Sequence, residues 1–286
     1  MARVAVVGSY GVGLTFVSPR APERGETIVG SGFHRDHGGK GSNQAVGAAR
    51  LGAAVSFLTA VGEDEFGEGA FELWREEGVD AESVRRVPLP TMTAAILVDG
   101  AGENRIVIVP GALSALRPAD VDAFADRIAA ADICLVQLEI PVETAHRALE
   151  VARSAGVRTV LNPAPAPPAP LDDAMLELAD YLTPNETEAA ALGTPSSAST
   201  LVLTLGAAGA RVGADDVPAF PARAVDTTGA GDAFTAAFAV ALAEGQENLD
   251  AVRWGCAAGA HMVEHEGVVP GLPTRAELER RLLVVA

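Results

Sequence analysis

Lysine is almost absent from this sequence, and positive charge as a whole is scarce. The 286 residues include 38 Asp and Glu against 21 Lys and Arg, which gives a formal net charge of −17 at pH 7. Of those 21 cations, 20 are arginines and one is a lysine, Lys40. Nucleic acids and anionic membranes both require a basic surface on their partner, so we expect neither as a partner. A phosphate ligand is not excluded, because a few backbone N–H groups can hold it.

Cysteine and long apolar runs are also scarce. The two cysteines, Cys134 and Cys256, lie in apolar stretches of the chain, which favours buried thiols in a reducing compartment over a disulfide scaffold. No apolar run approaches the ~18 residues that a membrane-spanning helix needs. The first residues lack the pattern of a secretory signal, and we therefore expect a cytoplasmic protein.

The order of apolar runs predicts an α/β protein built as one domain over residues 1–286. From residue 118 onward, short aliphatic runs alternate with segments of helical periodicity, the first of which predicts a helix over 118–129. Such alternation is typical of βαβ units and of a largely parallel sheet covered on both faces. β-type segments around 10–37 and 91–110 do not fit this alternation, and we predict that they form a small separate sheet, a lid. Three helices are predicted near the end of the chain, over 229–243, 249–264 and 275–284.

The strongest motif is AVDTTGAGDAF at 224–234, where a glycine-rich turn runs directly into an alanine-rich helix. The N–H groups of Gly229, Ala230 and Gly231 are predicted to face one point, which makes a phosphate site. Asp232 lies in the first helical turn, where it could take a proton from an attacking hydroxyl group. The alternative is a capped helix start without chemistry, but capping alone does not require three small residues followed by an acid.

A second glycine-rich motif, HGGKGSNQA at 37–45, contains the single lysine and precedes a predicted helix. It is not a P-loop, because Gly41 follows Lys40 where a P-loop has Ser or Thr. A lysine is a compact point charge suited to a phosphoryl oxygen or a hydroxyl. The alternative is a glycine turn with a solvated lysine, and the arginine-only background favours a functional role.

A third motif, TPNETEAA at 183–190, places Asn185 and Glu188 three residues apart at the start of a predicted helix. An amide and a carboxylate at this spacing suit a Mg²⁺ that keeps several of its waters. The alternative is a capping box, with Asn185 as the N-cap and Glu188 as the third helical residue.

Two further patterns are weaker. His261, Glu264 and His265 match the HxxEH pattern of inverted zinc peptidases, but such short patterns arise easily by chance. The glycines at 8, 11 and 13 lie after the first predicted strand, yet their spacing differs from the dinucleotide fingerprint and no helical pattern follows. We therefore favour neither zinc binding nor dinucleotide binding.

Taken together, these motifs resemble the ribokinase branch of the PfkB carbohydrate kinases, and most of the chain takes part in the resemblance. The segments GETIVG, GGKGSNQAVGAARLGA, VGEDEFGE, QLEIP, LNPAPA, TPNETE, TLG and AVDTTGAGD occur in the order typical of that family. The resemblance implies a three-layer α/β/α body with a β lid. It also implies transfer of the γ-phosphoryl group of ATP to a sugar hydroxyl, and a homodimer.

The resemblance also implies a role for individual residues. Asp232 resembles the catalytic base, and the anion hole for the transferred phosphoryl group matches Gly229, Ala230 and Gly231. The positions that match sugar contacts are Gly11, Gly13, Gly39, Lys40, Gly41, Asn43, Glu139 and Asp232. Those on the nucleotide side are Asn185, Thr204, Gly206, Gly209, Gly231 and Cys256. Mg²⁺ is implied at Asn185 and Glu188, and a monovalent cation such as K⁺ at Asp226, Thr228, Met262, His265, Gly267 and Gly271.

The sequence departs from the family pattern on both sides of the implied site. An Asn and an Asp that hold ribose hydroxyls in ribokinases are replaced by Gly11 and Gly13, so ribose is one candidate among related sugars and nucleosides. The segments at 189–203 and 209–220 are short, which affects the nucleotide side. A catalytically retired protein that binds sugar or nucleotide is the alternative function, although such a binder would not need the phosphate chemistry residues.

Overall fold

The structure is a computed structural model that describes residues 1–192 and 199–283. These residues contain fifteen strands: β1 (Arg3–Val7), β2 (Gly11–Val17), β3 (Gly32–Gly38), β4 (Ala54–Leu58), β5 (Ala60–Gly62), β6 (Val79–Asp80), β7 (Arg85–Val87), β8 (Thr93–Val98), β9 (Asn104–Val109), β10 (Ile133–Gln137), β11 (Arg158–Asn162), β12 (Tyr181–Leu182), β13 (Thr200–Thr204), β14 (Ala210–Val212) and β15 (Asp215–Val217).

The same residues contain eleven α-helices and two short 3₁₀ helices. The α-helices are α1 (Lys40–Arg50), α2 (Glu65–Glu76), α3 (Pro118–Ala123), α4 (Ala125–Ala129), α5 (Val142–Ser154), α6 (Asp173–Leu176), α7 (Glu186–Leu192), α8 (Ala230–Ala243), α9 (Asn248–Met262), α10 (Val268–Gly271) and α11 (Arg275–Leu283). The 3₁₀ helices are Gly111–Ala115 and Gly206–Ala208. None of the described helices is long and apolar enough to cross a membrane.

Nine strands form the central sheet, in the order β15-β14-β13-β12-β11-β10-β1-β4-β6. Every neighbouring pair from β6 to β13 is parallel, whereas β13, β14 and β15 pair antiparallel at one edge. Because the central strands are parallel, their carboxyl ends meet along a single edge of the sheet. The predicted largely parallel sheet is confirmed, and the antiparallel edge is an addition that the alternation pattern did not predict.

The side chains of the central strands alternate between two apolar layers, as a two-residue period requires. On β1, Val4 and Val6 pack into a cluster with helices α1, α2, α8 and α9, while Ala5 and Val7 pack into a second cluster with α3, α4 and α5. All five residues of β10 are buried, as expected for a strand covered on both faces. The result is the three-layer α/β/α body that the sequence predicts.

A second sheet of four strands, in the order β3-β2-β8-β9, lies outside the three-layer body. It is antiparallel except for the parallel pair β2–β8. Its outer strand β9 is exposed over its whole length. The four strands come from the two segments whose β-type sequence does not fit the βαβ alternation.

Some predicted bounds differ from the structure. The helix predicted over 118–129 is divided at Phe124 into α3 and α4, although Phe124 itself keeps a right-handed helical backbone. The short elements β6, β7, β14, β15 and α10 were not predicted, since two to four residues carry too little periodicity. Residues 193–198 of the short segment at 189–203, and residue 284 of the last predicted helix, lie outside the described residues.

Candidate active site

A polar cavity of about 160 Å³ lies at the carboxyl edge of the central sheet. Strands β11, β12 and β13 end at it, and helix α8 begins there. Its lining brings together residues from all three chemical motifs: Lys40, Asn162, Ala164, Thr183, Asn185, Glu188, Thr204, Thr227, Gly229, Ala230, Gly231 and Asp232. Lys40 and Asp232 are 192 residues apart in the chain, so the fold rather than sequence proximity builds this cavity.

The start of α8 has the geometry of an anion site, with one difference from the prediction. Gly229 is the N-cap and has a left-handed φ of 78°, and a Cβ there would lie 2.6 Å from Val268 Cγ1. A Cβ on Gly231 would meet no atom within 4 Å, so this backbone faces open space in the cavity. The N–H of Ala230 donates to Thr227 O over 3.3 Å, so the three N–H groups are not equally available to an anion.

Asp232 is a buried carboxylate, 6% exposed, whose two oxygens each accept a hydrogen bond from a side-chain amide. Asn43 Nδ2 donates to Oδ2 over 2.8 Å, and Gln44 Nε2 donates to Oδ1 over 3.0 Å. Both amides come from α1, the helix that follows the lysine motif. Hydrogen bonds to both oxygens of a carboxylate hold it in one orientation.

Gln44 connects Asp232 to the central sheet, and the sequence analysis did not single it out. Its Nε2 also donates to Asn162 Oδ1 over 3.2 Å, and its Oε1 accepts from Gln137 Nε2 over 2.6 Å. Asn162 in turn donates to Thr183 O over 2.8 Å. Gln137 and Asn162 are the last residues of β10 and β11, and a polar residue closing a buried apolar strand is the signal that would have identified them.

Lys40 is half-buried among three carboxylates. The charges of Asp232, and to a lesser extent Glu139 and Glu188, raise the pKa of Lys40 although burial lowers it. The lysine therefore stays charged at neutral pH. Its backbone N–H donates to Glu139 Oε2 over 2.9 Å, which joins the lysine motif to the QLEIP segment as the resemblance implies.

The glycines beside Lys40 let α1 approach the turn after β1. Gly39 has a φ of 89°, and a Cβ there would lie 2.6 Å from Tyr10 Cα. A Cβ on Gly41 would lie 2.5 Å from Ser9 N. Ser9 Oγ donates to Glu139 and accepts from Gly41 N. These close backbone contacts explain why small residues flank the single lysine.

Asn185 and Glu188 form the capping box that the sequence left as an alternative, and they also line the cavity. Glu188 N donates to Asn185 Oδ1, and Asn185 N donates to Glu188 Oε2, both over 2.8 Å. Burial raises the pKa of Glu188, although its hydrogen bond from Asn185 and the charge of Lys40 lower it. The structural and functional interpretations of this pair are therefore compatible.

Of the six residues on the predicted nucleotide side, three line the cavity, namely Asn185, Thr204 and Gly231, and the other three do not. Thr204 lines the cavity and forms a β-bridge with Asn185. Gly206 and Gly209 belong to the turn between β13 and β14, where Leu205 N donates to Gly209 O. Cys256 is buried in the core, its Sγ lies 3.9 Å from Val217 O, and burial raises the pKa of its thiol to about 12.

The residues matched to a monovalent cation lie close together behind the start of α8. Asp226 accepts from Thr228 N over 2.9 Å and from Gly267 N over 3.2 Å. Burial raises the pKa of Asp226, but these hydrogen bonds bring it below its usual value. A Cβ on Gly271 would lie 2.7 Å from the side chain of Met262. The backbone here is thus tightly folded around the Asp226 carboxylate.

The HxxEH segment does not assemble a zinc site. The rings of His261 and His265 lie 4.6 Å apart between centroids, and His265 Nδ1 contacts His261 O over 2.9 Å. Glu264 forms an ion pair with Arg281 over 2.8 Å. Within 1–192 and 199–283, no group of three or more His, Cys, Asp or Glu side chains is arranged to hold a metal ion.

Gly11 and Gly13 lie on β2 and differ in the space around them. A Cβ on Gly11 would lie 2.4 Å from Met92 Cε and 2.8 Å from Met92 O. A Cβ on Gly13 would lie 3.5 Å from Ile96 Cδ1, an ordinary contact. The Met92 side chain thus occupies the space that a side chain at position 11 would need.

Comparisons with known proteins show the family to which the chain belongs. The chain matches the model of the pfkB family carbohydrate kinase over residues 1–275. It is 39% identical to the ribokinase of Bacillus subtilis (strain 168), with 99% of this chain and 100% of the relative covered. The identity with the ribokinase of Haemophilus influenzae is 36%, with 96% of each chain covered.

Solved structures give the same result. The structure of Arabidopsis thaliana ribokinase complexed with ribose and ATP matches with a TM-score of 0.92, at 32% identity and with 99% of each chain covered. Ribokinase from Thermotoga maritima matches with a TM-score of 0.88, at 34% identity, with 99% of this chain and 100% of the other covered. Family model, relatives and fold lead to one conclusion: the chain belongs to the pfkB family of carbohydrate kinases.

Proposed function

We propose that this kinase transfers the γ-phosphoryl group of ATP to a hydroxyl of ribose or a related sugar or nucleoside, with Asp232 as the base. The observation that carries the proposal is the buried Asp232 carboxylate, held by Asn43 and Gln44 at the start of α8 in the polar cavity of about 160 Å³. A fixed carboxylate next to a helix N-terminus can accept a proton from a hydroxyl while the helix holds the phosphoryl group.

The mechanism assigns one task to each side of the cavity. Asp232 takes the hydroxyl proton as the sugar oxygen attacks the γ-phosphorus, in line with departure of ADP. The N–H groups at the start of α8, those of Ala230 and Gly231 among them, and the Lys40 cation stabilise the negative charge on the phosphoryl oxygens. The role of the protein is mainly positioning and electrostatic, as phosphoryl transfer requires.

On the acceptor side, Asn43 offers a second group besides Asp232. Its Oδ1 is buried and has no hydrogen-bond partner among the described residues. An unpaired buried acceptor costs free energy unless a ligand supplies a donor. A sugar hydroxyl next to Asp232 would supply it. The contacts between Glu139, Lys40 and Ser9 support a further sugar contact at Glu139.

On the nucleotide side, Asn185 and Glu188 are the residues that would hold Mg²⁺, and Thr204 lies beside them. Carboxylate and amide oxygens fit this ion, and the capping box fixes both side chains in place. Bound Mg²⁺ would neutralise charge on the phosphates. Further along the nucleotide would lie Gly206, Gly209 and Cys256. The monovalent cation, K⁺, would be held around Asp226, Thr228, Met262, His265, Gly267 and Gly271, where the carboxylate of Asp226 supplies the negative charge.

The four-stranded sheet β3-β2-β8-β9 is proposed as the lid over the acceptor. Its outer strand β9 exposes Ile106, Val107, Ile108 and Val109, each at least half exposed. An apolar strand edge of this kind favours pairing with a second copy of the chain, which supports the homodimer. The setting proposed for the kinase is the cytoplasm, in line with its two buried free thiols.

Catalysis is favoured over a retired binding protein. The two curated relatives described above carry ribokinase names, and the Asp232 cluster keeps the groups that proton transfer needs. The alternative would require these groups to persist without turnover, and none of the contacts described above favours it.

The test is Mg²⁺-dependent ADP formation with a panel of pentoses, hexoses and nucleosides. Asp232→Asn is expected to lower kcat by about 10²- to 10⁴-fold, the usual contribution of a general base, with an unchanged far-UV circular dichroism spectrum. Asp250→Asn, an exposed carboxylate in the first turn of α9, is the matched control and should retain full activity. Undiminished turnover in Asp232→Asn would rule out its role, and binding without ADP formation across the panel would support the retired alternative.

A further inference from the structure

A chain of three buried side-chain amides connects Asp232 to the ends of two central strands. Gln44 on α1 lies in the middle of this amide chain, and Gln137 and Asn162 are the last residues of β10 and β11. All three are at most 6% exposed. Each amide has a donor end and an acceptor end, so the direction in which the three groups point decides which atom faces the Asp232 carboxylate.

The direction of the amide chain is fixed at two points by groups that only accept hydrogen bonds. The Asp232 carboxylate accepts from Gln44 Nε2 over 3.0 Å. The backbone carbonyl of Thr183 accepts from Asn162 Nδ2 over 2.8 Å, which turns Asn162 Oδ1 towards Gln44 Nε2, 3.2 Å away. Both contacts require the nitrogen of Gln44 on the same side, so its oxygen must point the other way.

Gln137 is the residue that meets the oxygen of Gln44. Its Nε2 donates to Gln44 Oε1 over 2.6 Å, so Gln137 presents the donor end that the direction of the amide chain requires. Its own Oε1 then has no hydrogen-bond partner among the described residues, although Gln137 is fully buried. That oxygen lies against Gly8, where an added Cβ would be 1.8 Å from it. Position 8 therefore has to be glycine for Gln137 to keep its place.

Stability alone does not explain a glutamine at position 137. An unpartnered acceptor in the core costs free energy of folding. An apolar side chain of similar size would remove Gln137 Oε1, but it would leave Gln44 Oε1 without its donor, so the number of unpartnered acceptors would stay the same. What glutamine adds over an apolar residue is the donor that holds the Gln44 amide in the direction that Asp232 needs.

We propose that Gln137 is a positioning residue of the kinase: through Gln44 it keeps a side-chain N–H on Asp232. The inference rests on the proposed function, in which Asp232 accepts the hydroxyl proton. Gln137 is not among the residues that line the polar cavity, and its effect on the base passes through the amide of Gln44. The Asp232 carboxylate is thereby tied to β10, a strand that is buried over all five residues.

The test compares Gln137→Met with Gln137→Glu, two side chains of similar length. Methionine removes the donor to Gln44 at every pH, and kcat should fall by about two- to tenfold, the equivalent of one hydrogen bond, while Tm stays close to that of the wild type. Burial should raise the pKa of the introduced glutamate. Below that pKa its hydroxyl donates to Gln44 as the amide does, so kcat should approach the wild-type value. Above it, two carboxylates compete for the donor end of Gln44, and kcat should fall.

The assay is ADP formation between pH 5.5 and pH 9 with saturating ATP and Mg²⁺. The acceptor is the member of the panel of pentoses, hexoses and nucleosides with the highest kcat/KM, and D-ribose is tested first. The other charged groups around Asp232, namely Lys40, Glu139 and Glu188, are common to all variants. A difference between the profiles of Gln137→Glu and Gln137→Met therefore belongs to the introduced carboxyl group.

A double-mutant cycle separates this role from a merely structural one. Because Gln137 acts through Gln44, the variant with both Gln44→Met and Gln137→Met should have the kcat of Gln44→Met alone. Gln137→Glu should likewise add no pH dependence in the Gln44→Met background. Thr59→Val is the matched control: Thr59 is fully buried and its Oγ1 also lacks a partner in the described part of the chain. That substitution removes a buried acceptor outside the amide chain and should leave kcat unchanged.

Three results would overturn the inference and leave the proposed function intact: wild-type turnover in Gln137→Met, effects of Gln44→Met and Gln137→Met that multiply in the double variant, or a Gln137→Glu variant no more active than Gln137→Met at pH 5.5. Asp232→Asn, measured in the same assay, distinguishes the two levels. If that variant keeps wild-type turnover, or if no acceptor of the panel yields ADP, the proposed function fails and the inference fails with it.

Discussion

Gln44 offers the sharpest test of how this fold holds its base. The variant Gln44→Glu has nearly the same shape, and it can still accept the hydrogen bond from Gln137 Nε2, which is 2.6 Å long. It replaces the amide donor to Asp232 Oδ1, at 3.0 Å, with a carboxyl oxygen. Two buried carboxyl groups this close do not both ionise readily, so a proton shared between them would replace the lost N–H.

The expected rise in the pKa of the introduced carboxyl group follows from its distance to the Asp232 carboxylate. Two unit charges at about 3 Å repel by roughly 5 kcal/mol at an effective dielectric constant of ~20, which corresponds to roughly 4 pH units. Solvent screening reduces this figure, and we expect the pKa of the introduced carboxyl to rise by at least about 2 units. Below that pKa the protonated carboxyl donates to Asp232 as the amide does. Above it, repulsion displaces the base and kcat falls.

The assay is kcat as a function of pH between 5.5 and 9, measured by ADP formation. Gln44→Glu should approach wild-type turnover at the acidic end and lose about tenfold per pH unit above its new pKa, the slope of a single ionisation. Gln246→Glu, on the loop after α8, controls for the added charge. A Gln44→Glu profile that runs parallel to that of the wild type would refute the reasoning, because a merely structural role lowers kcat equally at every pH.

Three further predictions follow from the same geometry. Gly231→Ala should keep the wild-type Tm, because the added Cβ meets no atom within 4 Å, yet it should lower kcat because that Cβ crowds the phosphoryl group. Gly229→Ala, in contrast, should lower the free energy of unfolding by about 1–2 kcal/mol, since Gly229 has a left-handed φ. Lys40→Arg should lower kcat/KM by about tenfold or more, because the planar guanidinium does not replace the compact ammonium group in the cavity, whereas it should leave Tm nearly unchanged. His37→Gln should flatten the fall of Tm between pH 7 and pH 5: burial lowers the pKa of His37, so the unfolded chain binds the extra proton first and the wild type loses stability as the pH falls.

For each of these three expectations, one experimental result would contradict it. Equal loss of Tm in both glycine variants would mean that position 231 is constrained by packing and not by a ligand. Near-normal kinetics in Lys40→Arg would indicate that Lys40 is a solvated side chain without a role in the reaction. If the pH dependence of Tm is the same in His37→Gln and in the wild type, protonation of His37 does not destabilise the fold. The contact between the His37 ring and the Tyr10 hydroxyl, 2.7 Å long in the wild type, would then hold in both protonation states.

Much of the fold was predictable because its signals are local. A buried parallel strand needs a short apolar run, as in β10, and a covering helix needs a 3.6-residue period, as in α5. The antiparallel edge of β14 and β15 was missed, since strands of three residues carry almost no periodicity. The break between α3 and α4 was missed because Phe124 keeps a right-handed helical backbone and leaves no local signal in the sequence.

The candidate site was predictable only in part, for a related reason. Glycine-rich turns before helices identify Lys40 and Asp232 without any structure, because backbone N–H groups at a helix start are a local feature. Gln44, Gln137 and Asn162 have no such signature, since an amide acquires its role from the partner that the fold places beside it. The pair Asn185 and Glu188 shows the limit most clearly, because one local pattern serves both as a capping box and as part of the cavity lining.

The single lysine shows most clearly what the sequence determined and what only the tertiary structure decided. By itself the sequence determined that this acidic chain has one lysine, that it lies between glycines, and that the motifs around it resemble those of the ribokinase branch, because composition and local turns need no partner. Only the tertiary structure decided that Lys40 lies among Asp232, Glu139 and Glu188. The three carboxylates lie 99, 148 and 192 positions from Lys40 in the chain, and parallel strands bring their carboxyl ends to one edge only once the sheet has formed.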